Sequence, residues 1–124
     1  MPITYEFEID GDTLKVKAAG VDDSLDEVKQ YGMAVIEATI QNGCVRVLCD
    51  ERNLQYKLGT IDTFELAQHI VNSVPRVAKI ALVCSADDIK DASFFETVVV
   101  NRGLMVKAFK ELDAATAWLQ NQSK

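Results

Sequence analysis

Asn101–Leu119, reading NRGLMVKAFKELDAATAWL, decides the fold. Asn101-Arg102-Gly103 ends a helix, because glycine just past a helix reaches the left-handed backbone that other residues avoid. Leu104–Phe109 is then a short apolar strand, and Leu112–Gln122 repeats apolar residues at helical steps. A helix exit, a strand and a helix in direct succession belong to an α/β unit.

Working upstream, Ile89, Ala92, Phe95, Val98/Val99 and Arg102 recur at helical spacing behind Ser85, which suits an N-cap. Val77–Cys84 (VAKIALVC) is nearly all apolar, as a parallel strand covered on both faces must be. A helix is expected from Thr60 or Asp62 to Pro75, and Cys44–Cys49 (CVRVLC) reads as another buried strand, with residues 50–59 a loop after it. Ser24 and Glu27 form a capping-box pattern for a helix that Asn42-Gly43 ends.

At the N-terminus, Ile3, Tyr5, Phe7 and Ile9 alternate with polar residues, the period of a half-buried strand. A two-residue turn at Asp10-Gly11 would pair Phe7 with Leu14, Tyr5 with Val16, Ile3 with Ala18 and Glu6 with Lys15. The order is therefore β-β-α-β-α-β-α-β-α. It describes one domain over residues 1–124, a mixed and mostly parallel sheet with an N-terminal antiparallel hairpin and four helices. Right-handed crossovers put loops 50–60, 84–87 and 110–113 at the carboxyl edge, where open α/β sheets usually bind ligands.

Composition narrows the function classes. The 124 residues carry 13 Lys+Arg against 19 Asp+Glu, a net charge of −6. That balance argues against nucleic acid and anionic membrane surfaces, which are bound by lysine and arginine. No apolar run approaches the ~20 residues of a membrane span, and MPITYEFEID lacks the pattern of a signal peptide. Three cysteines at no metal-like spacing fit a reducing, cytoplasmic setting.

The element order, with Asn101-Arg102-Gly103, the strand ending in Phe109 and Ala115…Trp118-Leu119 behind it, resembles the STAS fold of anti-sigma-factor antagonists. It is most similar to the small SpoIIAA-like proteins related to STAS and Sec14 lipid-binding modules. The resemblance implies a regulatory role through a protein partner, switched in signalling members by phosphorylation of a serine in an Asp-Ser-Ser-Gly-like turn before the second helix. Here that turn reads Leu58-Gly59-Thr60-Ile61-Asp62-Thr63. Thr60 and Thr63 are the available phosphoacceptors, and both are also ordinary helix-start residues.

No catalytic constellation is present. His69 is the single histidine and lies inside a helix with no nucleophile at a suggestive spacing. No metal-ligand spacing and no glycine-rich phosphate loop occur, so neither metal nor cofactor is expected. Cys49 and Cys84, each ending a strand, are expected as buried packing, as is Cys44. Trp118 is expected to anchor the last helix in the core, and Arg102 either stabilises a helix end or binds an anion.

The most function-like segment is the 50–59 loop, long for a βα connection. Its Asp50, Arg52, Asn53, Tyr56 and Lys57, with Phe64 beyond, are the candidate binding residues. Helix hydrophobicity points the same way. Phe64, Ala67, Val71 and Val74 make one face, while Leu66 and Ile70 lie off it, and Phe94-Phe95 precede Val98-Val99-Val100. A helix apolar on several sides buries the excess in a thicker core, against a second subunit in a homodimer, or around an apolar ligand. The leading expectation is a non-enzymatic regulatory module that engages a protein partner or an apolar, lipid-like small molecule. The alternatives are a phosphorylation-switched antagonist and, third, a small enzyme using Asp50, Arg52, Tyr56 and Cys49.

Overall fold

The computed structural model describes residues 2–74 and 78–121. The strands are β1 (Thr4–Asp10), β2 (Thr13–Asp22), β3 (Arg46–Tyr56), β4 (Lys79–Val83) and β5 (Met105–Phe109). The helices are α1 (Leu25–Gln41), α2 (Thr60–Val71), α3 (Ile89–Val100) and α4 (Leu112–Gln120), with a 3₁₀ turn at Ala86–Asp88 leading into α3. The expected order is observed. Pro75 and Val77 of the expected α2 end and β4 start, and Gln122 of the expected α4, lie outside the described residues.

The strands form one sheet in the order β1-β2-β3-β4-β5, with β1 antiparallel to β2 and every later pair parallel. Parallel neighbours taken in chain order, each joined by a right-handed crossover, put all the crossover helices on one face. Accordingly α1 packs on α2 and α2 on α3, while α4 alone lies on the other face against β3, β4 and β5. Side-chain alternation sorts the core to match. Val47, Cys49, Ile80, Leu82 and Val106 face the three-helix layer, and Leu48, Ala81 and Val83 face α4.

Local signals explain the helix ends. Ser24 accepts from the Glu27 N–H at 3.3 Å, but the Glu27 carboxylate reaches back to the Ile3 N–H at 2.8 Å, so the capping box is half realised and also ties down the chain start. Gly103, at φ 99°, gives the left-handed exit from α3.

Two expectations near the N-terminus are corrected. Phe7 pairs with Val16, Tyr5 with Ala18 and Glu6 with Lys17, because the turn is centred on Gly11-Asp12 and Asp10 faces Thr13. Only Gly11 there has positive φ, at 62°. A shift of two residues leaves every side chain on the same face, so the apolar pattern fits both registers equally. Strand β1 is also not half-buried. It is an edge strand, with Tyr5, Phe7 and Ile9 about 40% exposed (42%, 39% and 44%). Tyr5 reaches the helix layer, 5.3 Å from the Tyr31 ring.

The largest correction concerns β3. Residues 50–56 are not loop but the second half of an 11-residue strand, and only residues 57–59 connect it to α2. Lys17 pairs with Asp50 and Ala19 with Asn53, so Glu51 and Arg52 together oppose Ala18 in a β-bulge. Cys49 consequently lies inside a strand and not at its end.

Candidate functional site

The bulge changes which residues share a face. Val47, Cys49 and Glu51 point toward the helices at period two, the extra residue intervenes, and Leu54 and Tyr56 resume the same direction. An unbroken strand would have turned Leu54 and Tyr56 toward the opposite face. With the bulge, Glu51, Leu54 and Tyr56 line one cavity.

That cavity has a volume of about 130 Å³ and lies between the sheet and α1, α2 and α3. Val28, Tyr31, Gly32, Val35 and Ile36 line it from α1; Thr63, Leu66 and Ile70 from α2; Ala92 and Phe95 from α3. Leu66 and Ile70, expected off the packed face of α2, are therefore on it. Phe64, expected on that face, is 42% exposed and stacks under the Arg102 guanidinium at 5.3 Å. The sheet contributes Ile80, Leu82 and Val106.

The polar groups collect at one end. Asp22 and Tyr56 close β2 and β3, and Asp91 stands in the first turn of α3, so all three mark the carboxyl edge of the sheet. Glu51 is the buried centre of this end. One of its oxygens accepts from the Tyr31 hydroxyl at 2.7 Å, and the other from the Tyr56 hydroxyl. Burial raises the Glu51 carboxyl above its ordinary pKa, opposed by the two tyrosine hydrogen bonds. Tyr31 and Tyr56 are themselves pushed well up by burial and by the neighbouring Glu51.

Asp22 is 7% exposed and accepts from the Lys57 backbone N–H at 2.6 Å. Burial raises its pKa from 3.8 to about 7, against the pull of that hydrogen bond and with help from Glu51, Asp88 and Asp91. Asp88 accepts from the Tyr56 N–H at 3.2 Å, so a second carboxylate fixes the end of β3.

The candidate binding residues are not brought together. Tyr56 lines the cavity. Asp50 and Arg52 point to the other face of the sheet, where Arg52 grips Asp50 at 2.8 and 2.7 Å and holds its carboxyl below the usual range. Asn53 and Lys57 are exposed, and Lys57 contributes only its backbone. The set Asp50, Arg52, Tyr56 and Cys49 is thus split across two faces of β3. Thr60 is exposed at the start of α2, and Thr63 faces the cavity.

The thiols match packing. Burial raises Cys49 well above its ordinary value and carries Cys84 to about 11, which keeps both protonated at neutral pH. His69 is half-buried in α2, and among the described residues no group of three or more His, Cys, Asp or Glu is placed to hold a metal ion. Trp118 is only half-buried, against Phe109 at 5.7 Å, while Ala115 and Leu119 are the true anchors of α4.

Glu51, Asp22 and Tyr31 were not singled out from sequence. The available signal was Leu54 and Tyr56, which continue a period-two pattern after the charged Asp50-Glu51-Arg52-Asn53 run, displaced by one residue.

A sequentially ordered mixed sheet, led by a hairpin and carrying its crossover helices on one face, defines a STAS-like α/β domain. A model of the SpoIIAA-like family matches residues 13–120, and the chain belongs to that family. It is similar in structure to an anti-sigma factor antagonist from Mycobacterium paratuberculosis, with a TM-score of 0.67 and 13% identity over 96% of this chain and 95% of that one. It is also similar to an uncharacterized DUF3478-family protein with a SpoIIAA-like fold from Shewanella loihica PV-4, with a TM-score of 0.56 and 18% identity over 95% and 93% of the two chains. No curated protein sequence matches it. Among the described residues, no helix is long and apolar enough to cross a membrane.

Proposed function

We propose that the protein is a non-enzymatic regulatory module that binds a small apolar molecule in the cavity beneath α1–α3. The observation that carries this is the cavity itself: about 130 Å³, lined mainly by aliphatic and aromatic side chains, in the layer where the α2 sequence has more apolar surface than one stripe. A cavity of this size compares with the ~150 Å³ apolar cavities that accept a benzene-sized guest. The splitting of Asp50 and Arg52 from Tyr56 and Cys49 supports a binding role over a catalytic one.

Thermal denaturation with toluene as the probe tests the proposal. A ligand that binds only the folded state raises the melting temperature with concentration. The expected result is a saturable rise, with native mass spectrometry of freshly purified protein finding a retained small molecule. No rise with toluene and no retained mass would sink it.

A second reading is a protein-binding antagonist switched by phosphate on Thr60. It draws on the exposure of Thr60, on the absence of a side-chain cap at Gly59, and on the likeness to the mycobacterial antagonist. It requires phosphate at this turn after incubation with a partner kinase. A Thr60→Ala, Thr63→Ala double variant that keeps every partner interaction and its regulation would remove it.

A further inference from the structure

Strand β1 is an open edge of the sheet, with β2 on one side and, among the described residues, no strand on the other. The Arg46 N–H donates to the Asp12 carbonyl at 3.2 Å, so Leu14 and Val16, two and four residues on, turn their backbone groups to β3. Thr13, Lys15 and Lys17 therefore bond to β1 through Asp10, Glu8 and Glu6. The alternation leaves the N–H and C=O groups of Tyr5, Phe7 and Ile9 directed outward. Such a row is a template for a further strand.

Every residue of β1 is exposed, and its two faces differ in chemistry. Tyr5, Phe7 and Ile9 make the apolar face. Tyr5 rests on Tyr31 at 5.3 Å and Phe7 on Tyr5 at 5.5 Å, so an aromatic row runs from the helix layer out to the edge. Glu6, Glu8 and Asp10 make the opposite face. Lys17 and Lys15 stand across from Glu6 and Glu8 on β2, and Asp50 stands across from Lys17 on β3. Charge thus alternates strand by strand, acid on β3, base on β2 and acid on β1. The next position outward calls for base.

We propose that β1 takes up an extended segment of a partner protein in which basic residues alternate with aliphatic ones, added to the sheet as one more strand. Main-chain hydrogen bonds to Tyr5, Phe7 and Ile9 supply affinity, and the alternate side chains supply specificity. The aliphatic residues lengthen the aromatic row, and the lysines or arginines face Glu6, Glu8 and Asp10. A second copy of this chain is the wrong occupant: paired antiparallel with the apolar faces aligned, it sets these three acids against acids. An acidic segment meets the same repulsion. The edge lies outside the cavity, and strand addition needs no ligand in it.

The test is a ¹H–¹⁵N NMR titration of the full chain with three capped synthetic peptides as probes. One alternates lysine with valine, one alternates glutamate with valine, and one carries the lysines and valines of the first in two blocks. The alternating lysine peptide is expected to slow amide exchange at Tyr5, Phe7 and Ile9 and to bind at least tenfold more tightly than the glutamate peptide at low salt. A Glu6→Gln, Glu8→Gln double variant is expected to lose about fivefold for the lysine peptide. Both positions are exposed, and unchanged α4 resonances would report that the variant is folded. Equal binding of the blocked peptide would overturn the proposal, because attraction to the net negative charge would then suffice. Protection of the same three amides that grows with protein concentration, without peptide, would overturn it in favour of a second copy. So would a titration in which no peptide protects these amides.

Discussion

The two sides of the sheet solve packing differently. On the α4 side, Ala115 and Leu119 meet Leu48, Ala81 and Val83, and small residues at 0% exposure bring helix and sheet into close contact. The helix end is tied there by charge: Lys79 donates to the Trp118 and Asn121 carbonyls at 2.6 and 2.8 Å, and Arg46 to the Leu119 carbonyl at 2.8 Å. On the other side, three helices enclose Glu51, Asp22 and an unfilled volume. A cavity and raised carboxyl pKa values both cost stability, and they occur together on one layer. The contrast sets a closely packed α4 layer against a three-helix layer that holds the cavity.

The largest expected effect comes from removing the same atoms on each side. Leu119→Ala, at 2% exposure in the α4 layer, is expected to cost about 2–5 kcal/mol in urea denaturation. Leu66→Ala, half-buried and already beside the cavity, is expected to cost less than about 2 kcal/mol. Equal losses would mean that the two layers pack alike.

Next comes pH. Asp22 has its pKa raised from 3.8 to about 7, so the folded chain holds the proton over a range in which the unfolded chain has released it. Its contribution to stability is full below about pH 4, is lost as pH rises through about 7, and stays lost above that, on the order of 2–4 kcal/mol across the window. Asp22→Asn keeps an acceptor for the Lys57 N–H but carries no titrating proton. It is expected to flatten this part of the profile and to exceed the wild type at pH 8 by on the order of 2 kcal/mol. Asp50, on the α4 side, behaves oppositely: Arg52 lowers its pKa, so its small contribution is lost as pH falls. Denaturation at pH 5 and 8 separates them, and an unchanged slope in Asp22→Asn would remove Asp22 from the account.

The same contrast explains what the sequence made legible. The α4 layer follows from local rules: Gly103 ends α3, an apolar strand follows, and Ala115 and Leu119 repeat at a helical step. Trp118 packs against that core from its half-buried edge, beside Phe109 and under the Lys79 ammonium, while Ala115 and Leu119 sit at its centre. The cavity layer depends on non-local facts. A bulge displaces the β3 pattern by one residue, so Asp50–Tyr56 loses its period and looks like a polar loop. The facing side of α2 is set by where the sheet lies, which reverses the roles of Phe64 and Leu66. Glu51 is buried because Tyr31, 20 residues away in sequence, supplies a hydroxyl that no spacing rule connects to it.

The smallest expected effect is the most direct test of the unfilled volume. A methyl group added at Gly32 on α1 would sit 2.9 Å from Ile70 Cδ1 on α2, and both residues line the cavity. Replacing a helical glycine by alanine gains up to about 1 kcal/mol, and the clash falls on the far end of a flexible side chain. If Ile70 swings into the cavity, the gain and the displacement nearly cancel. Gly32→Ala is then expected within about 1 kcal/mol of wild type while weakening toluene binding, because the isoleucine occupies the ligand's space. A loss above about 2 kcal/mol would mean that Ile70 has nowhere to go. The three-helix layer would then be as tightly filled as the α4 layer, and the contrast between them would fail.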